Sequence, residues 1–345
     1  MTIPIENIYY LLCYAWDKLN EKDRLQIGAE ECSTMPDLFA RILINASRIL
    51  LKRGIDKNYV DRTEERYGVK GKIDISTTLK QDLLSYQKTV CTFDEFSANT
   101  LPNRILVATL HRLARTHSLD RRLKKEIISV LRMFSGIPLV EITTSMFQQV
   151  RLHRNNRFYG FVMNVCRIVH ENTLPTETPG EYRFSDFSRD EKQMGHLFEA
   201  FVRNFYRLEQ KTYPVVRREV ISWQFETTDD VSRRYLPQMN TDITLENSEH
   251  KIIIDTKFYR QTMTSNFDAE RLHSANLYQL FSYMMNQRTD DPRTHGAAGI
   301  LVYPTVNAEY DLSYAYQGHA ISIRTVDLNQ NWKEISRRLL QFTAG

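Results

Sequence analysis

Cysteine is scarce in this chain: there are four in 345 residues, Cys13, Cys32, Cys91 and Cys166, widely spaced and without a C-x-x-C pair. This excludes a zinc ribbon and offers no disulfide framework, so reduced thiols in a cytoplasmic protein are expected. The opening MTIPIENIYYLLCYAW has neither a basic n-region nor a small-residue cleavage site and does not read as a secretory signal. No run approaches the roughly 20 apolar residues of a membrane span. Internal repeats and low-complexity tracts are missing too. Net charge is small, +4 at pH 7, so composition alone does not announce a nucleic-acid binder. There is also no Walker A: the nearest string, Gly68-Val69-Lys70-Gly71-Lys72-Ile73, has too short a gap and lacks the Ser or Thr after Lys. Any nucleotide-driven step must come from a partner.

What is present is ordinary for a globular protein, 42% hydrophobic and 26% charged, and the length suits two domains. Basic residues cluster at Arg121-Arg122 with Lys124-Lys125, at Arg151–Arg157, and at Arg217-Arg218 and Arg233-Arg234. Apolar residues at helical spacing predict helices from Ile5 to Leu19, Leu38 to Leu51, Asn103 to Leu119, Arg121 to Phe134 and Arg157 to His170. Between them Asn58–Ile75 is polar, holds Gly68 and Gly71, and suits short strands or a protruding hairpin. Pro175, Pro179 and Gly180 mark a linker at about 172–183, dividing the chain into domains 1–172 and 183–345. The second domain is expected to run as a helix (Asp190–Leu208), strands at Val215–Phe225, Met239–Leu245 and Lys251–Asp255, a helix (Ala269–Asn286), strands at Gly299–Tyr303 and Ala320–Val326, and a closing helix (Trp332–Phe342). That order is an α/β sandwich plan, on a first half that is mostly helical.

The chemistry concentrates at Lys251–Lys257, KIIIDTK, with Asp242 in the preceding MNTDITL. On a strand, side chains alternate faces, so Asp255 and Lys257 project to one side while Ile252 and Ile254 face a core. The polar stretch Glu246–His250 turns the chain into a hairpin, which brings Asp242 toward Asp255. Two carboxylates there supply hard oxygen ligands for Mg²⁺, with open positions for water and phosphate, and the Thr256 carbonyl is an additional ligand to consider. Lys257 beside them can position an attacking water and add positive charge. In the following helix Gln279 and Tyr283 are four apart and share a face. His273, near that helix, reads as a surface or capping residue.

These residues resemble the PD-(D/E)xK nuclease superfamily, and its RecB-like branch in particular. Asp242, Asp255-Thr256-Lys257 and Gln279-x-x-x-Tyr283 match that branch in order and approximate spacing; Thr241 stands where many members have Pro. Glu199, in HLFEAFV, occupies the place where members carry a Glu that assists metal binding. The blocks IPIENIYYLLCYAW, VKGKIDISTTL, KTVCTFDEFSANTLPNRI, HSANLYQLFSYM and ILVYP look like the McrC family, nuclease subunits of the modification-dependent McrBC restriction systems.

This resemblance implies an N-terminal domain that docks on a hexameric AAA+ GTPase resembling McrB and stimulates it, then a restriction-endonuclease-like α/β/α domain. It implies catalytic Asp242, Asp255 and Lys257, supporting Glu199, Gln279 and Tyr283, Mg²⁺ on the two aspartates, and GTP hydrolysed by the partner. The substrate it implies is double-stranded DNA carrying modified cytosine, with the modified base recognised by the partner. Asp56–Lys72, long and charged, is the expected part of the partner contact. Two rival readings are a stand-alone RecB-like repair nuclease and a non-cutting activator of an AAA+ motor.

Overall fold

Pro4 and Glu6 open the first helix, α1 (Ile5–Ala15), in a computed structural model that describes residues 3–16, 32–153, 156–178, 180–226, 230–259, 264–266, 269–271, 273–287, 293, 296–305 and 309–344. The chain divides into two compact units, Thr34–Ser185 and, discontinuously, Met1–Ser33 with Asp186–Gly345. The division expected at 1–172 and 183–345 therefore differs in two respects. α1 belongs to the C-terminal unit, and the expected linker is a short hairpin inside the other one. An amphipathic pattern reveals which face of α1 is buried but not what buries it.

The unit Thr34–Ser185 begins with α2 (Met35–Arg53). Thr34 and Asp37 form a reciprocal capping box there and Pro36 sits in the first turn. β1 (Asn58–Tyr67), β2 (Lys72–Ile73), α3 (Ile75–Lys80) and β3 (Lys88–Ser97) follow. β1 and β3 pair antiparallel over ten positions, from Asn58 opposite Ser97 to Tyr67 opposite Lys88. The sequence pattern captured β1 but not its partner β3. α4 (Leu101–Ala114), α5 (Arg121–Arg132), α6 (Thr144–Gln149) and α7 (Phe158–Asn172) come next, then the hairpin of β4 (Thr173–Pro175) and β5 (Tyr182–Phe184). The helices meet over Leu38, Phe39, Leu43, Leu106, Leu110, Phe161 and Val165, all fully buried.

In the C-terminal unit Asp190 caps α8 (Glu191–Glu209), accepting from the backbone N–H groups of Lys192 and Gln193. α1 packs along α8 and is held by side chains. Asn7 Nδ2 donates to the carbonyls of Leu328 and Gln330 at 2.8 and 2.9 Å. Asn204 Nδ2 donates to the Tyr14 and Ala15 carbonyls, and Tyr10 stacks on Trp332.

After α8 come β6 (Val215–Arg217), β7 (Val220–Ile221), α9 (Asp230–Arg234), β8 (Met239–Asn240), β9 (Ile243–Glu246) and β10 (Lys251–Thr256). β11 (Thr264–Asn266) and β12 (Ala269–Arg271) form a small hairpin before α10 (Ser274–Asn286). That hairpin takes the residues expected as the first turn of the helix. β13 (Ala298–Thr305), β14 (Asp311–Tyr316), β15 (His319–Asp327) and α11 (Trp332–Gln341) complete the chain.

One mixed sheet runs β14-β15-β13-β10-β9-β6, with β10, β13 and β15 parallel and the outer pairings antiparallel. β10 is central and buried throughout, as expected of an apolar run covered on both faces. Among the described residues no helix is long and apolar enough to cross a membrane.

Candidate functional site

The hairpin joining β9 and β10 is closed by Asn247, whose Oδ1 accepts from the N–H groups of Glu249 and His250 at 2.9 and 2.7 Å. Its register pairs Ile252 with Leu245, Ile253 with Thr244 and Ile254 with Ile243. The next step of that register sets Asp255 opposite Asp242. Asp242 Oδ2 accepts from the Thr256 N–H at 2.8 Å and from the Thr256 hydroxyl at 2.9 Å, clamping the two chain segments where ladder pairing ends.

Asp255 is completely buried. Its Oδ2 lies 2.8 Å from Lys257 Nζ, an ion pair, and its Oδ1 has no hydrogen-bond partner. Burial and then the Asp242 charge push the Asp255 carboxyl up to about 7, against the opposing pull of Lys257. Burial works against the Lys257 charge, yet Asp255 and Asp242 outweigh it, and the ammonium is held above its ordinary range. The backbone of Lys257 is fixed by its N–H bond to the Val302 carbonyl at 3.0 Å.

The other end of β10 makes a useful contrast. Lys251 is also buried, but its ammonium is bonded to both oxygens of Glu219, at 3.0 and 2.9 Å. Glu219 also accepts from Gln287 at 2.8 Å. One strand thus holds two buried charges, the first compensated by neighbours and the second left half-satisfied beside another carboxylate. Buried polar groups are nearly always paired, so Asp255 Oδ1, a buried carboxylate oxygen among the few exceptions in the described residues, needs a chemical reason.

Gly299 brings α10 close to the sheet: a Cβ there would meet Met284 Sδ at 2.4 Å and Leu280 side-chain carbons at 3.1 Å. On this helix Gln279 Nε2 donates to the Tyr283 hydroxyl at 2.6 Å. The Tyr283 phenol is raised by burial and by the charges of Asp255 and Asp242, so it remains protonated near neutrality. Asp255 and Lys257 are therefore ion-paired, Asp242 is bonded to Thr256 between them, and Gln279 and Tyr283 form a bonded pair within electrostatic reach of all three. Glu199 lies within electrostatic reach of Asp255 and also holds two arginines. It pairs with Arg203 at 2.8 Å and Arg218 at 3.4 Å, and is the weakest of the influences raising Asp255. Arg217 likewise spends its charge inside the protein, on Glu219 and Glu246.

Three polar residues at the site were not singled out from sequence. Tyr259 Oη donates to Asn276 Oδ1 at 3.2 Å, and Asn276 Nδ2 donates to Tyr303 Oη at 3.1 Å. The available signals were the spacing of Tyr259, two residues beyond Lys257, and the aromatic in ILVYP. His273, expected as a surface or capping residue, stands at the N-cap position of α10 without a side-chain cap bond. Its ring stacks on Tyr259 with centroids 4.4 Å apart.

The donor set suits a hard divalent cation. Asp242 and Asp255 offer oxygens on adjacent strands, and the unpartnered Oδ1 of Asp255 is available to a ligand. Among the described residues no group of three or more His, Cys, Asp or Glu could hold a metal ion. Further positions would fall to water, backbone carbonyls and substrate phosphate.

A family model described as McrBC 5-methylcytosine restriction system component matches residues 6–304. The type IV methyl-directed restriction enzyme EcoKMcrBC of Escherichia coli K12 is 35% identical over 338 residues, covering 98% of this chain and 96% of the relative. A refined half-complex from a tetradecameric assembly of Thermococcus gammatolerans McrB AAA+ hexamers with bound McrC is similar in fold, with a TM-score of 0.61 at 16% identity. It covers 98% of this chain and 76% of that one.

Proposed function

The chain belongs to the McrBC 5-methylcytosine restriction system family, and from that premise we propose that it is the Mg²⁺-dependent endonuclease subunit of a GTP-dependent, modification-dependent restriction complex. The observation that carries this reading is Asp255, a buried carboxylate with one unpartnered oxygen, in register with Asp242 and ion-paired to Lys257. The substrate is double-stranded DNA carrying modified cytosine, and the partner is an AAA+ GTPase ring resembling McrB.

Asp242 and Asp255 would hold Mg²⁺ through their carboxylate oxygens. Bound there, the ion supplies Lewis acidity that lowers the pKa of a water and offsets charge on the phosphate. Lys257, kept protonated by its carboxylate neighbours, orients the water and adds positive charge beside the scissile group. Thr256 holds Asp242 in place through its N–H and hydroxyl. Gln279 and Tyr283 act as a bonded pair that steers Lys257 or the DNA backbone.

Partner docking falls to the hairpin of β1 and β3, which includes the expected Asp56–Lys72 segment. Its exposed apolar side chains, among them Tyr67, Val69, Ile75, Leu79, Leu84 and Tyr86, are the kind of surface that marks a protein contact.

The test is Asp255→Ala, assayed with partner, GTP, Mg²⁺ and methylated DNA. Cleavage should vanish while GTPase stimulation persists; undiminished nicking by the variant overturns the assignment. Cleavage of unmodified DNA by the purified chain alone would favour the stand-alone nuclease instead.

A further inference from the structure

Asn276 is an odd residue for its place. It lies in the first turn of α10, 5% exposed, close to an apolar cluster of Ile253, Leu280, Met284 and Leu301. A buried amide costs free energy unless its donors and acceptors are satisfied, and an apolar side chain would pack there without that demand. Asn276 is satisfied by two hydroxyls from different elements. Tyr259 comes from the segment leaving β10, and Tyr303 from the middle of β13. The amide therefore ties three pieces of backbone together.

These pieces surround Lys257. The parallel register of β10 and β13 pairs Asp255 with Leu301 and Thr256 with Val302, so Tyr303 is the next position, alongside Lys257. Tyr259 follows Lys257 by two residues, and its ring is further backed by His273. β10 itself ends at Thr256. Beyond it, the Lys257 N–H bond to Val302, the buried ring of Phe258 packed on Phe198 and the Tyr259–Asn276–Tyr303 bridge hold the chain that presents the lysine. A lysine side chain has several rotatable bonds, so the placement of its ammonium depends on how firmly its backbone is held.

We propose that Tyr259, Asn276 and Tyr303 are positioning residues for Lys257, a polar bridge that aims its ammonium during DNA cleavage without touching DNA or metal. The inference rests on the nuclease reading above. Because the tyrosine rings also fill the core, the informative changes are Tyr259→Phe and Tyr303→Phe, which keep the ring and remove only the hydroxyl.

In the complete complex with partner, GTP and Mg²⁺, each variant should lower kcat by about tenfold or more while leaving KM for DNA within about twofold. The double variant should be no worse than the weaker single to within about threefold, since either change already breaks the bridge. In metal-free protein, acylation of Lys257 by acetic anhydride, located by mass spectrometry, should be several-fold faster in each variant. Unchanged kcat, losses that multiply in the double variant, or unchanged Lys257 labelling would overturn the proposal. So would a loss of kcat that merely tracks a fall in thermal midpoint. Asp255→Ala, run alongside, separates the two levels. If it still cleaves, the assignment of the cutting site to Asp255 has failed; if it is inactive, the tyrosine variants judge the bridge.

Discussion

Asp255 and Asp242 stand opposite one another one step beyond the last ladder pair of β9 and β10, where Ile254 faces Ile243. Like charges across adjacent strands destabilise a sheet, and here one of them is wholly buried. The fold tolerates this pair at the end of its central strand, the place a cation would relieve it.

Removing that repulsion should stabilise the metal-free protein. Asp255→Asn keeps the shape of the side chain and discards its charge, and the thermal midpoint without metal should rise by a few degrees. Adding Mg²⁺ should raise the midpoint of the original protein and leave that of the variant unchanged. Differential scanning calorimetry with and without Mg²⁺ checks both.

The same carboxyl gives metal-free stability a pH dependence of definite sign. Asp255 is pushed up to about 7 in the folded chain from its ordinary value of 3.8. Between these values the folded state keeps a proton that the unfolded state has released, so stability falls as pH rises from about 4 to about 7. Denaturant midpoints measured over that window should decline for the original chain and decline less steeply for Asp255→Asn. Equal slopes would show that Asp255 does not titrate there.

Gly299→Val tests the approach of α10 to the sheet. The added carbons collide with Met284 and Leu280, and overpacking of this kind costs about 1–3 kcal/mol. As Gln279 and Tyr283 ride on the displaced helix, cleavage should drop by more than the loss of folded protein accounts for. Activity per folded molecule, with the folded fraction read by circular dichroism, is the measurement.

Replacing 68–87 by a two-residue turn should join β1 to β3 directly and remove β2, α3 and most of the exposed apolar side chains. GTPase stimulation of the partner should be lost, while the thermal transition of the C-terminal unit stays where it was. Stimulation at the original level would move the docking surface elsewhere on the chain.

What could be read in advance follows the range of the forces involved. KIIIDTK announces a buried strand because Ile252, Ile253 and Ile254 put apolar side chains on both faces, and Asn247 and Ser248 announce the turn, so the pairing of Asp242 with Asp255 was legible locally. β14 was not: DLSYAY is mostly exposed, and the short alternation of Leu312, Tyr314 and Tyr316 was missed as a strand. β3 was missed because its alternation lies in a mixed stretch, KTVCTFDEFS, and only pairing with β1 makes it a strand. The roles of Asn276 and Tyr303 arise from a parallel register between segments nearly fifty residues apart in sequence, which no local pattern encodes. Glu199 shows the opposite difficulty. Its position matches a family pattern, yet Arg203 and Arg218 already claim its charge.

The bond from Asn7 to the Leu328 carbonyl spans 321 residues of chain. During synthesis α1 leaves the ribosome before Thr34–Ser185, whereas β13, β15 and α11 of its own unit leave after it. All of Thr34–Ser185 emerges in between and can fold while α1 is still waiting. Each new molecule therefore passes through a period when the unit Thr34–Ser185 is complete and the unit that carries Asp242, Asp255 and Lys257 is not.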